Sequence, residues 1–175
     1  MSQRPEATEY APFYEPYVSR VPEEEILPVL AGQVVEIRRL AAAVPAEREG
    51  HRYAPGKWSV REVLGHVTDG ERLFGYRALA IGRGDRQPLP GFDEQAYMVH
   101  AGFDGVALAD LAEDFAAARE ANLRMLSRFD ADAWRRVGTA NGVAVSTRAL
   151  AWIMAGHVRH HLAVLEERYG IGPAP

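Results

Sequence analysis

Four segments of the chain place apolar side chains at the three- and four-residue spacing of an amphipathic helix. Each is roughly 20 residues long, which is enough to span a bundle. Their bounds, read from capping and stop residues, are 23–45, 59–82, 108–127 and 146–169. Because no convincing strand separates them, the pattern predicts an all-α fold, a four-helix bundle formed by one domain over residues 1–175.

The connections between these helices constrain their order. The second and third helices are joined by a long connection, residues 82–105, in which Asp93 predicts the start of one short helix. A connection of this length can cross the bundle, so a simple up-down-up-down order is not required. Asp130 predicts a short capped turn that leads to Trp134, and Asn141-Gly142 predicts a tight turn.

The first 22 residues differ from the rest of the chain. Four prolines are interspersed with four aromatic residues there: Pro5, Pro12, Pro16, Pro22, Tyr10, Phe13, Tyr14 and Tyr17. Proline at this density disfavours a helix, and the aromatic side chains need a surface against which to bury. Residues 1–22 are therefore predicted to form an extended N-terminal arm that packs on the main body or on a partner subunit.

Composition narrows the classes of function. The chain has no cysteine, which excludes disulfides, thiolate metal ligands and a cysteine nucleophile. Its net charge is −4 and Lys57 is the only lysine, so no basic patch indicates nucleic-acid binding. No apolar run has the length of a signal peptide or of a membrane span. We therefore expect a cytoplasmic protein without nucleic-acid or membrane partners.

Histidines in the fourth helix point to a metal site. His157 and His161 are one turn apart on the row that periodicity assigns to the core. His66 lies on the edge of the apolar stripe of the second helix, where a bundle can bring it to face the other two. Three imidazoles with one exchangeable position are typical of a catalytic zinc site. The alternative is that the histidines are partly exposed and bond to carboxylates or carbonyls.

Two carboxylates near His66 are candidates for a catalytic base or for orienting a ligand imidazole. Glu62 precedes His66 by one turn, although it also completes a capping box with Ser59. Asp69 follows His66 by three residues and can equally form a solvated pair with Arg72. Other polar residues have less direct assignments. His160 is expected to support the site or the structure, His51 and His100 to lie on the surface, and Arg77, Arg148 and Arg159 either to bind an anionic substrate or to be solvated.

Three stretches resemble the DinB-like superfamily, and within it the YfiT group of metal-dependent hydrolases and bacillithiol transferases. They are KWSVREVLGHVTDGERLFGYRAL, PLPGFDEQAYM and STRALAWIMAGHVRHHLAVLEERYG. The resemblance implies an up-down-down-up four-helix bundle and a zinc or nickel ion held by His66, His157 and His161. It also implies a homodimer.

The resemblance leaves the reaction open. One hypothesis is an enzyme that uses the ion to activate water, as a hydrolase, or a low-molecular-weight thiol, as an S-transferase acting on a small-molecule substrate. Because the chain has no cysteine, that thiol would have to be a co-substrate. The second hypothesis is a non-catalytic metal-binding or stress-response dimer with a structural ion.

Overall fold

A computed structural model describes residues 3–172 and has a mostly helical architecture. In this part of the chain the helices are α1 (Glu15–Val18), α2 (Ile26–Ala43), α3 (Val60–Gly82), α4 (Glu94–Ala101), α5 (Leu108–Leu126), α6 (Ala131–Arg135) and α7 (Thr147–Tyr169). Helices α2, α3, α5 and α7 are the four predicted long helices, so the predicted bundle is confirmed. None of the helices described is both long and apolar enough to cross a membrane.

The helix boundaries follow local chemistry closely, with one exception. Ser59 caps α3 through the predicted capping box with Glu62, and Asp93 caps α4. Gly170 ends α7 with a positive φ of 63°, in the left-handed region that glycine tolerates. The first long helix begins at Ile26, three residues later than predicted, because Glu25 is extended and precedes it.

The two hydrophobic clusters of the core reveal the direction of each long helix. One cluster joins the beginning of α2 and α7 to the end of α3 and α5; it includes Ile26, Leu150, Phe74 and Leu126. The other joins the opposite ends and includes Leu40, Leu165, Val63 and Leu111. Helices α2 and α7 therefore run one way and α3 and α5 the other, which is the up-down-down-up order. The crossover that contains α4 allows α3 and α5 to lie parallel.

A buried polar network crosses the middle of the bundle. The Arg119 guanidinium donates to Glu71 Oε2 at 2.7 Å, to Gln33 Oε1 at 2.8 Å and to the Leu30 carbonyl at 3.1 Å. Asn122 donates to the second carboxylate oxygen of Glu71, and Gln33 donates to the Ala155 carbonyl. The network thus links all four long helices, and the side chains of Arg119 and Glu71 are 0% and 1% exposed.

One β-hairpin corrects the prediction that the chain has no strand. Strands β1 (Val137–Ala140) and β2 (Val143–Ser146) pair antiparallel around Asn141-Gly142, both of which have positive φ. The tight turn was predicted, and an Asn-Gly pair between short segments that contain Val137, Thr139, Val143 and Val145 is a hairpin signal. Each strand has only four residues, so its periodicity was too short to recognise.

The N-terminal arm packs on the body of its own chain, which is one of the two arrangements predicted for it. Tyr10, Tyr14, Val18 and Val21 are buried in the core. The backbone is wound into short helical turns, including α1, where proline density had predicted extended chain. Proline fits these turns because it occupies their first positions, where no helical N–H bond is lost.

We expect Gly156→Ala to destabilise the protein by about 1–3 kcal/mol, as overpacking of a core does. A Cβ at Gly156 would lie 2.0 Å from the carbonyl oxygen of Tyr17, so α7 and the arm would have to separate. Urea unfolding measures the effect. Gly32→Ala is the matched control, because a Cβ at this helical glycine meets nothing within 4 Å. The change also replaces a poor helix former with a good one. Equal stability changes in the two variants would contradict the close packing of the arm.

Candidate metal centre

The three histidines singled out by spacing converge inside the bundle. His66 reaches the site from α3, while His157 and His161 lie one turn apart on α7. The Nε2 atom of His157 is 3.1 Å from Nε2 of His66 and 3.1 Å from Nε2 of His161. One nitrogen from each of the three residues lies within 4.8 Å of the other two. The three rings therefore face a common point.

Burial keeps these imidazoles neutral. His66 is 3% exposed and His157 is 5% exposed. Desolvation lowers the pKa of His66 to about 4, and desolvation together with the neighbouring imidazoles lowers the pKa of His157 and His161. Neutral imidazole is the form that coordinates a metal ion, so all three groups are ready to act as ligands at neutral pH.

The geometry of the cluster fits a cation better than it fits hydrogen bonds alone. His157 Nε2 has two imidazole nitrogens at hydrogen-bond distance, but a neutral ring nitrogen carries either one proton or one lone pair. One of its two contacts is therefore left unsatisfied. Two separations of 3.1 Å come close to the roughly 3.3 Å between ligands about 2.0–2.1 Å from a tetrahedral zinc ion.

Aromatic side chains and one glycine shape the walls of this cluster. The Trp58 ring is 4.8 Å from the His66 ring, and the rings of Tyr17 and Phe74 are each 5.6 Å from the His157 ring, between centroids. A Cβ at Gly70 would lie 2.8 Å from Cε1 of His157, so the absence of a side chain there makes room for the ring.

Two cavities flank the cluster, and Glu94 lines both. One, of about 220 Å³, contains His66, His157, Arg77 and Glu94 on its walls. The other, of about 330 Å³, is lined by His161, His160, Trp58 and Glu94. Glu94 Oε2 lies 3.8 Å from His66 Nε2. The cluster is thus accessible to a small molecule and has a carboxylate beside it.

Sequence reasoning missed Glu94. Its signal was indirect: the predicted cap at Asp93 makes Glu94 the first residue of α4. Nothing in the crossover sequence indicates that this end of α4 lies over the histidines.

The two carboxylates selected from the sequence have their hydrogen-bond partners outside the cluster. Glu62 bonds to the Ser59 backbone in the capping box and pairs with Arg52. Asp69 pairs with Arg72 at 3.3 Å, and burial raises the pKa of its carboxyl. In the described part of the chain neither makes a hydrogen bond to His66, His157 or His161, so their catalytic roles stay predictions.

The remaining histidines lie where the sequence placed them. His160 borders the site, with its ring centroid 5.5 Å from that of Tyr17 and 5.0 Å from that of His161. Its Nδ1 is buried without a hydrogen-bond partner among the described residues. His51 and His100 are exposed.

We expect the metal-free protein to lose stability as the pH falls from about 6.5 towards 4. The folded-state pKa of His66 is about 4, which is below its ordinary value, so the unfolded chain binds more protons in this window. The stability that the neutral His66 imidazole contributes is fully present above the pKa that this group has in the unfolded chain. It is lost as the pH falls below that value. Urea unfolding in EDTA at several pH values measures this. His66→Gln should reduce the change of unfolding free energy with pH, whereas His51→Gln, at an exposed site, should leave it as in the unaltered protein. The same pH dependence in both variants would contradict a buried, neutral His66.

A bundle of this order with three inward-facing histidines defines a class of helical proteins with a candidate metal centre. The model of the DinB superfamily matches residues 34–165, and the chain belongs to this superfamily. No curated protein sequence matches the chain.

Two solved structures share the fold. YfiT from Bacillus subtilis, described as a probable metal-dependent hydrolase with an unusual four-helix bundle topology, is 15% identical with a TM-score of 0.71. That alignment covers 83% of this chain and 86% of YfiT. A mycothiol-dependent maleylpyruvate isomerase is 16% identical with a TM-score of 0.65, and the alignment covers 82% of this chain but 60% of the isomerase. At these identities the similarity establishes the fold alone.

Proposed function

We propose that this protein is a metal-dependent enzyme in which His66, His157 and His161 hold one divalent cation, zinc or nickel. The observation that carries the proposal is the convergence of three neutral imidazole nitrogens at the junction of two cavities. A structural ion is normally enclosed by four protein ligands, whereas a catalytic ion keeps one position for water or substrate. The cavities favour the catalytic form over a purely structural ion.

The ion would supply a nucleophile near neutral pH by lowering the pKa of a water or thiol. With water the reaction is the hydrolysis of an ester or amide, and with a low-molecular-weight thiol it is S-transfer to an electrophile. YfiT is described as a probable hydrolase and the isomerase as mycothiol-dependent, so the names of the two relatives support one alternative each. A homodimer remains a prediction from the family resemblance.

Glu94 is the carboxylate best placed to accept a proton during this reaction. It lies 3.8 Å from His66 Nε2, and its side chain is 52% exposed, so it can exchange a proton with solvent. The Tyr17 hydroxyl, whose pKa is raised by burial and then by Glu94, stays protonated and can donate a hydrogen bond.

We expect Glu94→Gln to lower turnover by about a hundredfold or more while metal content is retained, as loss of a general base does. The measurement combines elemental analysis with a screen of esters, amides, and thiols paired with a chromogenic electrophile. Glu62→Gln and Asp69→Asn are matched comparisons that test the two carboxylates selected from sequence. A metal-loaded protein inactive with every substrate would favour the non-catalytic alternative, and a loss confined to Asp69→Asn would move the base to that residue.

A further inference from the structure

One buried arginine in the cavity beside the histidines forms no ion pair with any residue that the structure describes. Three arginines were candidates for anion binding, and two of them are neutralised within the chain. Arg148 pairs with Glu9, and Arg159 pairs with Glu23 at 2.6 Å. Arg77 is 2% exposed, and among residues 3–172 no carboxylate lies within 4.0 Å of its side-chain nitrogens.

The donors of Arg77 are only partly used. Nη2 donates to the Pro90 carbonyl at 2.8 Å, while Nε is buried without a partner in the described chain. The guanidinium carbon lies 5.8 Å from the centroid of Phe74. Desolvation lowers the pKa of the group, and a contact with the Tyr14 hydroxyl partly opposes that shift. A buried cation without a carboxylate partner is costly, and an anion bound at the cavity wall would relieve that cost.

The position of Arg77 relates it to the metal centre. It follows His66 by 11 residues on α3, which is about three helical turns along the same face. The guanidinium is closer to the histidines than this spacing of the backbone, because its carbon lies 5.8 Å from the centroid of Phe74, whose ring is 5.6 Å from that of His157. Arg77 and His66 both line the cavity of about 220 Å³. A ligand in this cavity can therefore present one end to the histidines and the other to the guanidinium.

Charge and shape define what this cavity accepts. Its other walls are largely aromatic: Phe13, Tyr14, Tyr17, Phe74 and Phe92. A single guanidinium suits a monoanion, and its fork matches the two oxygens of a carboxylate. Glu94 at the histidine end would repel a carboxylate there, so the charge of the ligand is directed towards Arg77.

We infer that Arg77 forms a carboxylate-binding subsite, and that the substrate class is a largely apolar monocarboxylic acid whose reacting group lies at the end away from its carboxylate. The inference rests on the proposed function for its catalytic meaning, because it names the substrate of the same site. Arg77 is then a binding residue that orients substrate, while the histidines and Glu94 serve the reacting end.

The test uses straight-chain carboxylates from acetate to octanoate, their primary amides as neutral controls, and inorganic phosphate. Binding is measured calorimetrically with EDTA-treated and with zinc-loaded protein, and the Arg77 Nε–H resonance is followed by NMR. We expect the longer carboxylates to bind at least about tenfold more tightly than the amides or phosphate and to shift the Arg77 resonance, in both metal states.

Arg77→Met should abolish the preference for carboxylate over amide, and Arg77→Lys should weaken it. Arg72→Met, an exposed change on the same helix, should leave it intact. Equal binding of carboxylate and amide to the unaltered protein, or an unmoved Arg77 resonance, would overturn the subsite even if Arg77→Met fails to fold. These readouts do not need the metal. A protein that bound carboxylates but no metal would therefore contradict the proposed function and leave the subsite standing.

Discussion

Replacing His157 by alanine is expected to reduce bound metal from about one ion per chain to almost none, and turnover with it. His157 Nε2 is central to the cluster, since it lies 3.1 Å from both other Nε2 atoms. Losing a supporting residue around a metal site already costs 10- to 100-fold in affinity, so loss of a ligand should cost at least about a hundredfold. Elemental analysis after gel filtration measures the ion, and the substrate screen measures turnover.

The control for His157→Ala is a histidine outside the site. His51→Ala and His100→Ala remove exposed imidazoles and should leave the metal content unchanged. Circular dichroism identifies any loss of fold in His157→Ala. His161→Ala provides an independent variant, because His161 is less buried than His157. Equal metal content in the unaltered protein and both site variants would contradict the assignment of the ligands.

Replacing Glu71 by alanine is expected to destabilise the fold by about 3–5 kcal/mol, because it leaves the Arg119 charge buried and unpaired. The change also removes one of the two acceptors of the Asn122 amide, the other being the Glu71 backbone carbonyl at 3.1 Å. Urea unfolding monitored by circular dichroism measures the free energy of unfolding. Replacing both residues, as Glu71→Leu with Arg119→Met, should recover most of that loss, since no charge is then stranded.

The comparison for the Glu71 variant is an ion pair on the surface. Arg38 and Glu113 form a two-pronged pair between α2 and α5, with side chains 44% and 62% exposed. Glu113→Ala should leave the unfolding midpoint nearly unchanged, because solvent screens exposed charges. If Glu113→Ala were as harmful as Glu71→Ala, the buried network would not be a special determinant of stability.

The helices and the metal ligands were predictable because their signals are local. Helical periodicity, the Ser59 capping box and the Gly170 stop are each contained in a few residues. The pair His157 and His161 was visible because residues four apart share a face. His66 could be added because it lies on the edge of another apolar stripe.

The features that could not be predicted depend on how segments distant in the sequence meet in the fold. Glu94 is significant only because the crossover brings the first residue of α4 against His66. Arg119 occupies a core position in register with Leu111 and Phe115, but its partners on α2 and α3 could not be identified from one helix. Arg77 differs from Arg148 and Arg159 because it has no carboxylate partner among the described residues, which no sequence pattern encodes.

X-ray absorption spectroscopy of the zinc-loaded protein tests the central claim most directly, because it reports the ligands of the ion itself. The account predicts three imidazole nitrogens at about 2.0–2.1 Å, with a further light atom from water or substrate in the open position. The imidazole scattering should fall when His157 is replaced by alanine. A spectrum without three imidazoles, or one unchanged by that replacement, would contradict the metal centre and the function proposed from it.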